Sequence, residues 1–223
     1  MITLTKRLQT VADKVIGSTL FCDVGTDHAY LPTYLLLSGK IDKAIACDIR
    51  RGPLESAKRT AKEYGVDDKM ELILSDGLDD IPNTVGEVAI AGMGGVLMAD
   101  IILRTKWLYT NDRHLILQPM TKIHHLRRAL YENGFEIESE TAVVDDKRPY
   151  TVMSVRYCGK KEHISDSFAY IGKLSYQGDG IAYFEKQIKK LDRKINGMIK
   201  SDSDNDTEIK RLKSIKSEIE KLM

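Results

Sequence analysis

The sequence predicts an α/β fold: a doubly wound parallel sheet with helices on both faces, an antiparallel hairpin at its edge, and a helical tail. Three observations carry this. Apolar runs of strand length at residues 20–24, 44–49, 70–74, 87–91 and 114–117 alternate with helix-length segments, as strands buried on both faces do. Residues 136–144 and 151–157 alternate polar and apolar side chains around Asp145-Asp146-Lys147-Arg148-Pro149, the pattern of a hairpin. From about Lys161 the apolar spacing becomes three-and-four and stays so to the end.

Taken in order, Leu4, Leu8, Val11 and Val15 keep helical spacing behind the caps Thr3 and Thr5, which reads as a lid or packing helix. The first strand, residues 20–24, runs into Gly25, which permits a sharp turn, and Pro32 suits the opening of a helix that Gly39 ends. The second strand finishes in Asp48. Pro53 then starts a helix that Gly65 closes. The third strand is followed by Ser75-Asp76-Gly77, the fourth by Gly92-Met93-Gly94-Gly95 and a helix to about Arg104, and the fifth by Gln118-Pro119 and a helix over residues 121–133. In the tail, Ile181, Phe184, Ile188, Leu191, Ile195 and Met198 face Leu212, Ile215, Ile219 and Leu222 across the polar loop 201–206, which predicts an antiparallel coiled-coil hairpin. Residues 1–160 and 161–223 therefore read as two domains.

Composition excludes several classes. No apolar run is long enough to span a membrane, and the first residues are too polar for a signal sequence, so a cytoplasmic protein is expected. Cys22, Cys47 and Cys158 lie in apolar stretches without C-x-x-C spacing and read as buried thiols. His124 and His125 point to different helix faces and do not make a metal site, so no metal is expected. The net charge of +1 implies no partner. Basic residues cluster locally, however: Lys186, Lys189, Lys190 and Arg193 on the outside of the first tail helix are either a solvated face or a grip for phosphates.

The chemistry gathers at strand ends. A dinucleotide site would place G-x-G-x-x-G after the first strand, but here Asp27 stands at the second glycine position, where it would repel a pyrophosphate and attract an ammonium or sulfonium. The better-matched ligand is S-adenosylmethionine. Asp23 and Gly25 would floor the pocket, Asp48 would bond the ribose hydroxyls, and Asp76 could accept from the adenine amine; helix capping is the plainer role for any one of these aspartates. A nicotinamide oxidoreductase, a small-molecule methyltransferase and a non-catalytic RNA-binding protein are the competing readings.

The runs Gly25-Thr26-Asp27-His28-Ala29-Tyr30-Leu31-Pro32 and Ala91-Gly92-Met93-Gly94-Gly95, with Gln118-Pro119 and the basic helical tail, resemble the TrmK family of bacterial tRNA (adenine-22-N1)-methyltransferases. The resemblance covers essentially the whole chain. It implies a class I, Rossmann-like methyltransferase sheet with a C-terminal coiled-coil domain, and methyl transfer from S-adenosylmethionine to N1 of an adenine in the D-arm region of tRNA. On it, the cofactor set is Asp23, Gly25, Thr26, Asp48, Ile49, Asp76, Gly77 and Gly92. The base pocket is Met93, Gly94, Gly95, Gln118 and Pro119, and the tRNA contacts are Lys6, Arg7, Lys186, Lys189, Lys190 and Arg193. Asp27 is the candidate catalytic anion with His28 the alternative; in the plainer reading Asp27 caps the helix starting near Tyr30. A monomer or weak dimer is expected.

Overall fold

The strands are β1 (Leu20–Val24), β2 (Lys43–Asp48), β3 (Met70–Leu74), β4 (Glu87–Ala91), β5 (His114–Gln118), β6 (Phe135–Asp145) and β7 (Arg148–Tyr157). In the computed structural model, which describes residues 2–200 and 205–223, they form one sheet in the order β3-β2-β1-β4-β5-β7-β6. β1 to β5 pair in parallel, and β7 runs antiparallel between β5 and β6. Strand order reverses between β1 and β4, and a sheet of this kind opens a crevice there at its carboxyl end.

The helices are α1 (Lys6–Lys14), α2 (Tyr30–Leu37), α3 (Arg51–Glu63), α4 (Gly95–Arg104), α5 (Ile123–Glu132), α6 (Asp166–Ile171), α7 (Asp179–Lys200) and α8 (Asp206–Glu220). Thr5, not Thr3, caps α1 by accepting from the Leu8 amide at 3.4 Å. Alternation along the strands divides the core in two. Phe21, Ala46, Ala89 and Ile116 pack in one layer with residues of α1, α2 and α3; Cys22, Val24, Ile45, Val88, Ile90, Leu115 and Leu117 pack in the other with α4 and α5. Burying each large apolar side chain contributes roughly 1.5–3 kcal/mol.

The hairpin is tighter than the sequence implies. Asp146 and Lys147 alone make the turn, with φ of 46° and 59°, the doubly left-handed geometry that matches strand twist. Pro149 is thus inside β7, where it pairs with Val144 of β6 beyond the reach of β5.

The tail folds back. Tyr183, Phe184, Leu191 and Ile195 of α7 and Leu212, Ile215 and Ile219 of α8 belong to the same apolar cluster as the sheet. The helices run antiparallel, tied by Lys194–Glu208 at 2.9 Å and Lys216–Asp192 at 2.7 Å. Ile181 and Leu222 are exposed, contrary to the expected seam, because Ile181 lies in the first turn of α7 and Leu222 beyond the end of α8. Most of the expected polar loop, residues 201–204, lies outside the described residues.

A buried ion pair fastens this arrangement. Arg127 of α5 and Glu140 of β6 have fully enclosed side chains 3.0 Å apart. Arg127 also donates to Ala169 O, Tyr170 O and the Tyr183 hydroxyl, while Glu140 accepts from the Lys173 amide. Burial opposes the Arg127 charge, and Glu140 with Tyr183 more than offsets it, so its pKa is raised. Cys22 and Cys47 are buried as expected; Cys158 is exposed because β7 ends at Tyr157.

Candidate functional site

Gly25 turns out of β1 with φ +73°, and the Gly25 and Thr26 amides both donate to Cys47 O of β2, at 2.8 and 2.9 Å. This clamp holds the loop that carries Asp27 and His28 to Ala29. Ala29 precedes α2 in a left-handed conformation, φ 53°, and makes no side-chain cap. Such a residue costs on the order of 1 kcal/mol. Asp27 does not cap α2 either: its side chain is 84% exposed and lies 3.8 Å from His28 Nε2. The His28 ring stacks on Tyr30 with centroids 5.3 Å apart and planes 8° from parallel.

These residues line a cavity of about 330 Å3 with Arg7, Leu8, Asp23, Leu31, Ala91 and Gly92. It lies at the reversal of strand order. Asp23 is 7% exposed; burial pushes its carboxyl up to about 6, the nearby Asp48 adds to this, and Thr26 offsets part of it. The Thr26 hydroxyl is buried beside this carboxyl.

The opposite wall is Ala91 and Gly92; Met93, Gly94, Gly95, Gln118 and Pro119, expected in the base pocket, lie outside the cavity lining. Gly92, φ +83°, donates to Gln118 O at 3.0 Å and to Gln118 Oε1 at 3.1 Å, and Arg7 Nη1 donates to the same Oε1. Met93 reaches across to Gly25, where a Cβ would lie 2.1 Å from its Cε. At Gly95 the reason for glycine is backbone contact: a Cβ would lie 2.7 Å from Lys122 O, and the Gly95 amide donates to Thr121 O at 2.8 Å. Pro119 is buried behind Gln118.

Asp48 ends β2 and Ile49 follows it, both outside the cavity lining. Asp48 is 7% exposed and accepts from the Arg50 amide at 2.8 Å through Oδ1, whereas the apolar Ile49 is 62% exposed. Asp76 and Gly77 lie beyond β3, outside the cavity lining. Asp76 is taken up by Arg104, which bonds its carboxylate at 2.7 Å, and Gly77 packs against Ile101.

The basic residues disperse. Lys6 is exposed on α1. Arg7, expected at an RNA surface, lies in the cavity wall and over the Tyr150 ring. Lys186, expected outside α7, is turned inward: it donates to Pro149 O at 2.6 Å and shares the Tyr150 ring, because α7 packs on the hairpin at that point. Lys189 is exposed beside Glu185, and Lys190 and Arg193 are exposed. Sequence reasoning missed Tyr30, whose aromatic ring two residues after His28 was the available signal. It also missed Arg7 as a cavity residue, since its partner Gln118 is 111 residues away.

A larger cavity, about 530 Å3, lies where α5 ends and β6 begins, away from the strand-order reversal, lined by Tyr131, Cys158 and His163 among others. Among the described residues no group of His, Cys, Asp or Glu could hold a metal ion, and no helix is long and apolar enough to cross a membrane.

Comparison with known proteins agrees with this geometry. A family model described as "Methyltransferase domain" matches residues 4–153. The Bacillus subtilis (strain 168) tRNA (adenine(22)-N(1))-methyltransferase is 38% identical over 151 residues, which span 67% of this chain and 63% of that enzyme. The crystal structure of the B. subtilis M1A22 tRNA methyltransferase TrmK superposes with a TM-score of 0.87 at 28% identity, covering 98% of this chain and 99% of that one. M. capricolum TrmK in complex with S-adenosyl-homocysteine superposes at 0.82 with 27% identity and 99% coverage of both chains. With the glycine turn, the acidic strand ends and the β3-β2-β1-β4-β5-β7-β6 sheet in place, the chain belongs to the methyltransferase-domain family and, within it, to the TrmK family.

Proposed function

We propose that this protein transfers a methyl group from S-adenosylmethionine to N1 of adenine 22 in the D-arm region of tRNA. The observation that carries the reading is the cavity at the strand-order reversal, floored by Gly25 and acidic on two sides through Asp23 and Asp27. The residues present suit the donor: a buried carboxylate for an ammonium with the Thr26 hydroxyl beside it, Asp48 for ribose hydroxyls, and exposed Ile49 for an apolar ring face. Asp76 would serve the adenine amine only when released from Arg104. When bound, S-adenosylmethionine supplies a methyl group activated by a sulfonium.

The protein's own part is alignment and charge. Adenine N1 carries its lone pair in the base plane and no proton, so the reaction needs no strong base. Positive charge moves onto the base as the bond forms, and an anion close by is worth most at that moment. Asp27, exposed at the cavity mouth, is the residue for this, with His28 beside it. N1 is paired or stacked in folded RNA, so the base must be extruded. The stacked His28–Tyr30 pair offers it an aromatic face, and Met93 to Gly95 with Gln118 and Pro119 would close on its edge from behind Gly92. Residues 161–223, with Lys189, Lys190 and Arg193, would hold the RNA as a monomer or weak dimer acts on cytoplasmic tRNA; Lys6 would contribute from α1.

The test is incubation with unmodified tRNA and labelled S-adenosylmethionine, followed by nucleoside analysis. Label in 1-methyladenosine at position 22 is the expected result. Label in another nucleoside, or none, overturns the reading.

A further inference from the structure

Between α5, α6 and α7 lies a third cavity, of about 290 Å3, separate from the one at the strand-order reversal. Its walls include Lys122, His124, Gln187, Lys190 and Lys194. Resting on the functional reading above, we propose that this cavity binds a backbone phosphate of the RNA strand next to the extruded adenine.

Four observations support it. Lys122 and Lys190 have no ion-pair partner among the described residues, so two ammonium groups border the cavity uncompensated; Lys194 adds a third charge, shared with Glu208. Lys122 is also the residue preceding the ten-residue helix α5, and it provides no side-chain cap; the His125 amide donates to Lys122 O, which leaves the Ile123 and His124 amides available to an anion. Independently of that helix end, Gln187 is 6% exposed, lines the cavity, and has an amide nitrogen with no hydrogen-bond partner among the described residues. A buried amide left unpaired costs roughly 1–3 kcal/mol, and a phosphate oxygen is an acceptor of the kind it lacks. Finally, the cavity is coupled to the base-pocket wall, because Thr121 in its lining accepts from the Gly95 amide at 2.8 Å and bridges to Gly94.

His124 reports on the same place. Its ring stacks on Tyr170 at 4.9 Å, and burial, together with Lys122, Arg128, His125 and Lys194, pushes its pKa down to about 4. An anion in the cavity would cancel part of that positive field and raise the value. A ring that merely packs in the core would not respond.

The experiment compares the full-length protein with Lys122→Ala/Lys190→Ala and with Gln187→Leu, using an unmodified tRNA transcript. The double variant is expected to bind tRNA at least tenfold more weakly, with the log–log salt slope reduced by roughly 1.4–1.8 for two lost phosphate contacts. Gln187→Leu should weaken binding without changing the slope, since it removes no charge. In the wild type the His124 resonance should titrate at higher pH when tRNA is bound. If the wild type methylates tRNA while the double variant keeps its affinity and slope and His124 does not move, the subsite is wrong and the functional reading stands. If the wild type leaves tRNA unmethylated, both fall.

Discussion

At neutral pH Asp23 is an ionised carboxylate held among apolar neighbours, with a folded pKa of about 6 against an ordinary 3.8. A raised carboxyl pKa means that the folded protein binds more protons than the unfolded chain between those two values. The stabilising contribution of Asp23 is therefore complete below pH 4 and lost as pH rises through 6, and above that the buried charge costs about 3 kcal/mol. Asp23→Asn should melt several degrees higher than wild type at pH 7.5 without ligand, while its S-adenosylmethionine affinity falls at least tenfold. In the wild type, affinity should drop as pH falls below 6, because the ammonium of the ligand prefers the ionised carboxyl; a flat calorimetric profile from pH 7.5 to 5 would remove Asp23 from the site. Asp27 has the opposite character, exposed and unattached to the helix that follows it. Asp27→Asn therefore removes charge without touching a cap, and single-turnover methylation should slow by roughly 10²-fold with cofactor affinity changed less than about tenfold. A wild-type rate in that variant would transfer the role to His28 or the glycine loop. Both aspartates were legible in the sequence, Asp23 near the carboxyl end of β1 and Asp27 in the turn that follows it. Their contrast in burial was not, since it depends on β2 and β4 coming from elsewhere in the chain to flank Asp23.

Elements were legible where one pattern dominated. Five apolar runs gave the parallel strands within a residue or so, and Gly25, Gly39 and Gly65 marked turns that all have positive φ. The dock between tail and sheet was not legible, because Arg127, Glu140 and Tyr183 each read as a surface polar residue until three elements enclose them. Glu140→Ala would strand a buried guanidinium and should cost roughly 3–5 kcal/mol in urea unfolding. Glu140→Gln keeps an acceptor for the Lys173 amide and should cost less. Limited proteolysis between α6 and α7 reports the same loss as detachment of the tail. An alanine variant as stable as wild type would mean that water reaches Arg127 and the pair carries no weight.

For the molecule as a whole, α7 and α8 complete the apolar layer over β6 and β7, so a chain cut after Gly159 should melt at least ten degrees lower or aggregate. Equal melting of the two would make the tail a detachable module. The position of β7 has a further consequence, which concerns the order in which a ribosome releases the chain. β6 cannot join the sheet when it emerges, because the strand that must lie between it and β5 has not yet been made. Until Tyr157 has left the exit tunnel, the nascent protein presents β5 as an open edge, with Leu115, Ile116 and Leu117 beside unpaired backbone. The two-residue turn at Asp146 and Lys147 shortens that interval, since a tight hairpin zips within about 1–10 μs of its second strand appearing and docks as a unit. Helices α6, α7 and α8 are translated after Tyr157, and they cover a sheet in which β5 is already paired.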